Sequence, residues 1–359
     1  MKKKILMVGP KIDMKGGISA VSSTLLNSGL SDDTDIHYLN SYIDGTKVQK
    51  LMVFLKSIVV FIFQLIIKRI DIVHIHTASR ASFRRKTIMY FLAKLFRKKV
   101  IMHVHGAEFM IYYNNANNFE KKIITHVLEN SDTTIALSEK WKDQLQRIAP
   151  KAKIEIVYNP VNIKGFQRIA QNELEENINI LFMGRVGERK GVYDLLEIVP
   201  SVIKKYTNVK FMLCGDGELE KVREYIQQNK LEHFVELPGW TSGIEKINYY
   251  QKAAIYVLPS YNEGLPISIL EAMASSLPIV ATDVGGIPEA VEHNENGYLI
   301  VPGDKKRLKE YLLELIKSKE LRQQYGKYGL KKCEKLFDIN VIVGKIHDIY
   351  SNVMDGKTK

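Results

Sequence analysis

Cysteine is nearly absent, with only Cys214 and Cys333 in 359 residues. A pair so far apart supplies neither a disulfide framework nor the close spacing of a zinc site, and it points to a reducing compartment. A dinucleotide fingerprint is missing as well. Gly9 and Gly16 stand too far apart for G-x-G-x-x-G, which argues against a nucleotide-dependent oxidoreductase. There is no fixed-period repeat and no low-complexity segment. The apolar run at the start, Ile5 to Val8 before Gly9-Pro10, is far shorter than the roughly 7–15 residues of a signal-peptide core, so it reads as a first buried strand. The longest apolar stretch, Leu51 to Ile67, is interrupted by Lys56, Ser57 and Gln64 and falls short of the ~20 clean residues of a membrane span. It reads as a crossover helix buried against a sheet.

What is present is ordinary for a globular chain: 45% hydrophobic and 26% charged residues. At roughly 150 residues per domain the length suggests two domains, each large enough to bury a core unaided. The net charge of +12 is unevenly spread. Residues 1–170 hold 27 Lys and Arg against 13 Asp and Glu, a surplus of 14, whereas the remainder holds 25 against 27. That asymmetry points to an anionic partner for the first half, either a membrane or a nucleic acid.

Short apolar runs alternate with helical patterns in both halves. Strands are expected at 4–8, 36–39, 70–76, 100–105, 133–137 and 154–158, and again at 178–183, 210–214, 235–237, 254–258, 278–282 and 297–301. Helices lie between them, which implies βαβ units and two doubly wound parallel sheets. Asn159-Pro160-Val161-Asn162 and the polar stretch Gln167 to Asn177 suit a linker. Ile339 to Met354 is a last amphipathic helix. Ligands of such folds bind beyond the carboxyl ends of the strands, so the functional residues should follow strands and line a cleft between the sheets.

Five segments do so. Pro259-Ser-Tyr-Asn-Glu263-Gly-Leu-Pro266-Ile-Ser-Ile-Leu-Glu271 follows a buried strand, with Pro266 suited to a first helical position. Its amides at Gly264 and Leu265 can bind anions, and two carboxylates beside them suit a ligand carrying hydroxyls and phosphates. An isolated pair of glutamates is also explained by capping and solvation; the strand–loop–helix context favours the ligand. Gly184-Arg185-Val-Gly187-Glu-Arg-Lys190-Gly191 offers a planar guanidinium fork and a point charge to a diphosphate, or is a basic surface turn. Gly16-Gly17 opens the first helix and allows close backbone approach, or is an ordinary turn. His103-Val-His105-Gly106 ends a strand beside His74 and His76. Alternate residues share a strand face, so the four imidazoles can converge. Hydrogen bonding at the cleft edge is the preferred reading over zinc. Thr282-Asp-Val-Gly285-Gly286-Ile-Pro288-Glu289 is a further turn after a strand, lining the same cleft or purely structural.

In their order along the chain these segments, with Asn159-Pro160 and Gly215-Asp-Gly217, resemble glycosyltransferase family 4, the retaining GT-B glycosyltransferases. The flavour is that of bacterial capsule, exopolysaccharide or O-antigen enzymes. The resemblance implies an α/β GT-B fold of two Rossmann-like domains. Residues 1–165 form an acceptor-side domain on which the helix at 339–359 packs back, and 166–338 form the donor domain. It implies that Glu271 accepts hydrogen bonds from the ribose, that Glu263 contacts the donor sugar, and that Arg185 and Lys190 hold the diphosphate as it leaves. Gly184, Gly264, Leu265 and the Gly16-Gly17 loop approach the phosphates and sugar, His105 reaches the sugar, and Leu237 and Gly239 flank the base.

Leaving-group charge stabilised by Arg, Lys and helix dipoles replaces a metal, so neither metal nor cofactor is expected. Asp33-Thr-Asp35 matches the D-x-D pattern of metal-dependent transferases but sits in a polar loop before a strand. A UDP-sugar is the expected donor, and a glycan or lipid-linked molecule the expected acceptor. The basic run from Phe83 to Lys99 suits an anionic bilayer, giving a cytoplasmic enzyme peripheral on the inner membrane face. Rival readings are a sugar-nucleotide epimerase on the same fold, and a basic nucleic-acid- or membrane-binding protein without catalysis. No nucleic-acid motif accompanies the cations, so nucleic acid is not an expected partner.

Overall fold

The structure, a computed structural model, describes residues 2–166 and 177–356. The expected linker at 167–177 therefore lies, except for Asn177, outside the described residues. The chain forms two compact units, Met1–Pro160 with Ile339–Lys359, and Val161–Asp338.

In the first unit β1 (Lys3–Gly9) leads through α1 (Gly17–Leu26) and α2 (Leu30–Asp33) to β2 (Thr34–Asn40). Then come α3 (Lys47–Ile67), β3 (Ile72–Thr77), α4 (Ala81–Leu95) and β4 (Lys99–Val104). α5 (Phe109–Asn115), α6 (Asn118–Glu129), β5 (Thr133–Ala136), α7 (Glu139–Ile148) and β6 (Ile154–Ile156) complete it. The six strands are parallel, in the order β2-β1-β3-β4-β5-β6. All of Ile72–Thr77 is buried, as expected for a central strand covered on both faces.

The second unit runs α8 (Ile163–Phe166), β7 (Ile178–Met183), a 3₁₀ turn at Glu188–Lys190, α9 (Val192–Ile203), β8 (Val209–Cys214) and α10 (Leu219–Gln228). It continues with β9 (Val235–Gly239), α11 (Gly243–Lys252), β10 (Ile255–Leu258), α12 (Ile267–Ala274), β11 (Ile279–Thr282), α13 (Ile287–Ala290) and β12 (Gly297–Ile300). Two helices absent from the sequence reading, α14 (Lys305–Lys317) and α15 (Lys319–Leu336), follow. The sheet order β12-β11-β10-β7-β8-β9 is again all parallel. Its order reverses at β7, so the loops after β7 and β10 flank the switch point where such sheets bind ligands. The last helix, α16 (Ile339–Asp355), belongs to the first unit. Tyr350 there bonds His74, and Lys3 Nζ donates to Ser351 Oγ at 2.7 Å.

Three local expectations are corrected. The helix expected to be buried against the sheet, α3, buries only the stripe Phe54, Ser57, Phe61 and Leu65. Spacing of three and four residues fixes one inward face, and the opposite face remains exposed and apolar. Pro266 is the N-cap of α12, with ψ of 124°, rather than its first helical residue. Asp35 lies inside β2 and not in a loop.

Candidate active site

In the second unit, the loops after β7, β8, β10 and β11 are joined backbone to backbone. Gly184 N donates to Cys214 O at 2.9 Å, and Val186 N to Asp216 O at 2.6 Å. Tyr261 N donates to Arg189 O at 2.9 Å, and Gly286 N to Gly264 O at 2.6 Å. Two glycines permit this approach. Gly191, at φ of 69°, and Gly285, at φ of 57°, adopt backbone that side chains resist, and a Cβ on either would overlap the carbonyl oxygen of Pro259 or Glu263 respectively.

This seam brings several expected residues together. Lys190 Nζ lies 2.5 Å from Glu263 Oε1, with both side chains largely buried. Gly184 sits under the same lysine, whose Nζ would be 3.8 Å from a Cβ at that glycine. Gly264 and Leu265 are buried between Glu263 and the start of α12. Arg185 is exposed and, among the described residues, has no ion-pair partner. Its Cγ stands beside Gly217, 3.1 Å from a Cβ built there. The loop thus presents one cation already paired with a carboxylate and one exposed to solvent.

Glu271, in the second turn of α12, is buried and satisfied by two residues the sequence reading passed over. Lys246 forms an ion pair with Oε1, and Tyr250 donates to Oε2 at 2.9 Å. Lys246 and Tyr250 are one helical turn apart on α11, so an i, i+4 Lys–Tyr pair just after a strand was the available signal. Leu237 and Gly239 lie at the end of β9, and Gly239 O accepts from Gly215 N at 2.7 Å.

The remaining expected residues lie in the first unit. Gly16 caps α1 at φ of 140°, and no atom lies within 4 Å of a Cβ on Gly16 or Gly17, so that helix start is open. His105 is one of four imidazoles that do converge. His74 Nδ1 bonds Tyr350 Oη at 2.8 Å, His74 Nε2 bonds His103 Nδ1 at 3.2 Å, and His76 Nδ1 bonds His105 Nε2 at 2.9 Å. His74 stacks on His76 and His103, and His76 on His105, with centroids 4.5, 5.4 and 5.1 Å apart. Burial pushes the pKa of His74 and His105 down to about 3 and holds those of His76 and His103 well below the usual range, so all four are neutral. His74, His76 and His103 offer ring nitrogens within 4.8 Å of one another, close enough to consider a metal. Both nitrogens of His74 are engaged, which leaves, of these three and among the described residues, His76 Nε2 and His103 Nε2 without partners. Two imidazoles without a carboxylate make a poor zinc set. Glu108, in the same motif, is taken up by Arg80 at 2.8 Å.

The model of the family described as Glycosyltransferase Family 4 matches residues 38–164, and that of Glycosyl transferases group 1 matches residues 164–332. An uncharacterized glycosyltransferase of Methanocaldococcus jannaschii is 31% identical over 287 residues, which is 80% of this chain and 76% of the relative. The capsular polysaccharide biosynthesis glycosyltransferase CapM of Staphylococcus aureus is 26% identical over 61% of each chain. Among solved structures, Anabaena HepE in complex with UDP-glucose superposes with a TM-score of 0.77 at 16% identity, covering 97% of this chain and 99% of that one.

Proposed function

The chain belongs to the group 1 and family 4 glycosyltransferases, with relatives in polysaccharide biosynthesis, and from that premise we propose a retaining transfer from a UDP-sugar to a glycan or lipid-linked acceptor. The observation that carries the reading is the glycine-knit seam of the second unit, where Lys190, Glu263 and the amides before α12 meet. Cleaving the sugar–phosphate bond leaves negative charge on the diphosphate. Lys190, Arg185 and the amides of Gly264 and Leu265 stabilise that charge without any metal, and Glu263 and Glu271 accept from sugar and ribose hydroxyls. Gly184, under Lys190, approaches the phosphates through its backbone. Leu237 and Gly239 flank the base.

From the first unit, His105 donates or accepts as a neutral imidazole toward the sugar, and the open Gly16-Gly17 turn accepts phosphate or sugar at close range. Retention follows from attack on the face the leaving group vacates. The donor base is supported by the UDP-glucose bound in a protein of the same fold, and the acceptor by the relative named for capsular polysaccharide. A lipid-linked acceptor places the enzyme on the inner face of the cytoplasmic membrane.

The test is incubation of purified protein with UDP-sugars and oligosaccharide or lipid-linked acceptors, with and without EDTA. The expected result is an EDTA-insensitive glycosidic product whose anomeric proton, by NMR, matches the donor configuration. Release of an isomerised free sugar nucleotide would instead support the epimerase. Metal-reversible loss of all activity would remove the metal-free account.

A further inference from the structure

α3 is 21 residues long and predominantly apolar, yet only Phe54, Ser57, Phe61 and Leu65 of it are buried. The exposed side is a continuous stripe. Met52, Leu55, Val59, Phe63 and Ile66 follow at intervals of three and four residues, and each is between 55% and 69% exposed. α4 packs beside α3 and adds a second stripe, Ile88, Phe91 and Leu95, between 45% and 75% exposed. Single exposed leucines need no explanation, but a stripe of large side chains along a helix of this length does.

The surrounding charge indicates the occupant. From Gly45 to Ala107 the chain holds thirteen Lys and Arg and a single acidic residue, Asp71. Asp71 is committed to the fold, accepting from Lys4 N at 2.9 Å. Several of the cations are committed too. Arg84 is paired with Glu120, Lys94 and Lys99 with Asp132, Arg85 lies over the Tyr42 ring, and Lys86 is buried. Lys47, Lys56, Lys68, Arg69 and Arg97 remain exposed, and among the described residues none has an acidic partner. The cations that border the apolar stripe are therefore those of α3 and its ends rather than the Arg84–Lys86 cluster that the sequence singles out.

We infer that the outer face of α3, continued by α4, lies in the plane of an anionic bilayer, with its apolar stripe in the acyl boundary and Lys47, Lys56, Lys68 and Arg69 at the headgroups. A helix whose outer face is apolar apart from Lys56, with basic ends and no acidic residue, has the pattern of interfacial binding. Each flanking cation adds to attraction by an anionic surface. Spanning is excluded by connectivity. α3 joins β2 to β3, both of which pair with β1 in one parallel sheet, so its ends cannot part to opposite sides of a bilayer. A second copy of this chain is a poorer occupant, because a two-fold contact would press two acid-free cationic borders together. The inference deepens the membrane part of the proposed function and rests on it, but it does not depend on the donor chemistry.

The experiment is flotation of the full chain with vesicles of phosphatidylcholine alone and of phosphatidylcholine with phosphatidylglycerol, comparing wild type with Val59→Ser/Phe63→Ser. Both positions are exposed, so folding is retained and is checked by circular dichroism. Wild type should float with the anionic vesicles, and the double variant should partition at least tenfold less. A Leu55→Trp variant, read against wild type, should shift its emission to the blue on adding anionic vesicles and be quenched by brominated acyl chains. Equal partitioning of the double variant, or absence of quenching, would overturn the inference. So would a lipid-free dimer that the double variant dissolves. UDP-induced thermal stabilisation of the same proteins separates the two readings: its retention with lost flotation confines the effect to this face, while its absence in wild type counts against the transferase reading alone.

Discussion

Lys190 and Glu263 form an ion pair at 2.5 Å across two loops 73 residues apart, with side-chain exposures of 12% and 7%. Removing one partner of such a pair strands the other, whereas removing an exposed cation strands nothing. Lys190→Ala should therefore lower both turnover, by ~10²-fold or more, and stability, by about 3 kcal/mol. Arg185→Ala should lose a similar share of turnover with its melting temperature unchanged, since Arg185 is exposed and unpaired among the described residues. Steady-state kinetics and thermal melts of both variants check this. Near-wild-type turnover in both would remove the diphosphate role.

Glu271 is held by Lys246 and by Tyr250, whose hydroxyl lies 2.9 Å away. The carboxylate is thus fixed before ligand arrives, and a ribose would meet an oriented acceptor. Glu271→Gln keeps the shape but loses the charge-assisted bond, so UDP should bind ~10–100-fold more weakly, in keeping with the ~1.5–3 kcal/mol of such bonds. Calorimetric titration with UDP reads it directly. Unaltered affinity would dissociate Glu271 from the nucleotide.

Gly17 is the first residue of α1, and a Cβ there would meet nothing within 4 Å. Structure alone gives no reason for glycine at this position, so Gly17→Ala should leave stability equal or raise it by ~0.5–1 kcal/mol. If the open turn admits substrate closely, kcat/KM should nonetheless fall by about tenfold or more, as expected for displacement of a substrate from its reactive position. An alanine variant that is both as stable and as active as wild type would leave Gly17 without a role in the site.

The twelve strands of the described residues were legible in the sequence as short runs bounded by turn residues, and some, such as β3 and β5, are buried end to end. The short helices α2, α5 and α8 were not legible, since four to seven residues carry too little periodicity. The exposure of α3 was hidden for a different reason. An apolar residue facing solvent looks the same in sequence as one facing a sheet, and only the position of Phe54, Phe61 and Leu65 on the inner side separates the two. At the site, glycines and charged residues following strands marked the loops, but pairing between loops was beyond reach. Nothing local says that Lys190 meets Glu263, or that Lys246 and Tyr250 brace Glu271.

Stability should climb from acid to about pH 9, for two reasons that act in separate ranges. The four imidazoles of His74, His76, His103 and His105 stay neutral in the fold, with His74 and His105 pushed down to about 3, whereas unfolded histidine binds a proton below about 6.5. Between those values the unfolded chain holds more protons, so falling pH favours unfolding, by up to about 1.4 kcal/mol per pH unit for each ring. Lys86 extends the slope upward. It is 3% exposed beside Ser41, and burial followed by the neighbouring Arg85 charge pushes its pKa down to about 7 from 10.5. From about pH 7 upward the unfolded lysine is the more protonated, so this group adds up to about 1.4 kcal/mol per pH unit as pH rises, until near pH 9 the thiols of Cys214 and Cys333, pushed up by burial, act with the opposite sign. Lys86→Met should flatten this upper slope and leave the lower one, while His76→Phe should shallow only the lower. Urea midpoints at each pH unit from 4 to 10 measure both. An unchanged upper slope in Lys86→Met would mean that the buried amine keeps its proton throughout.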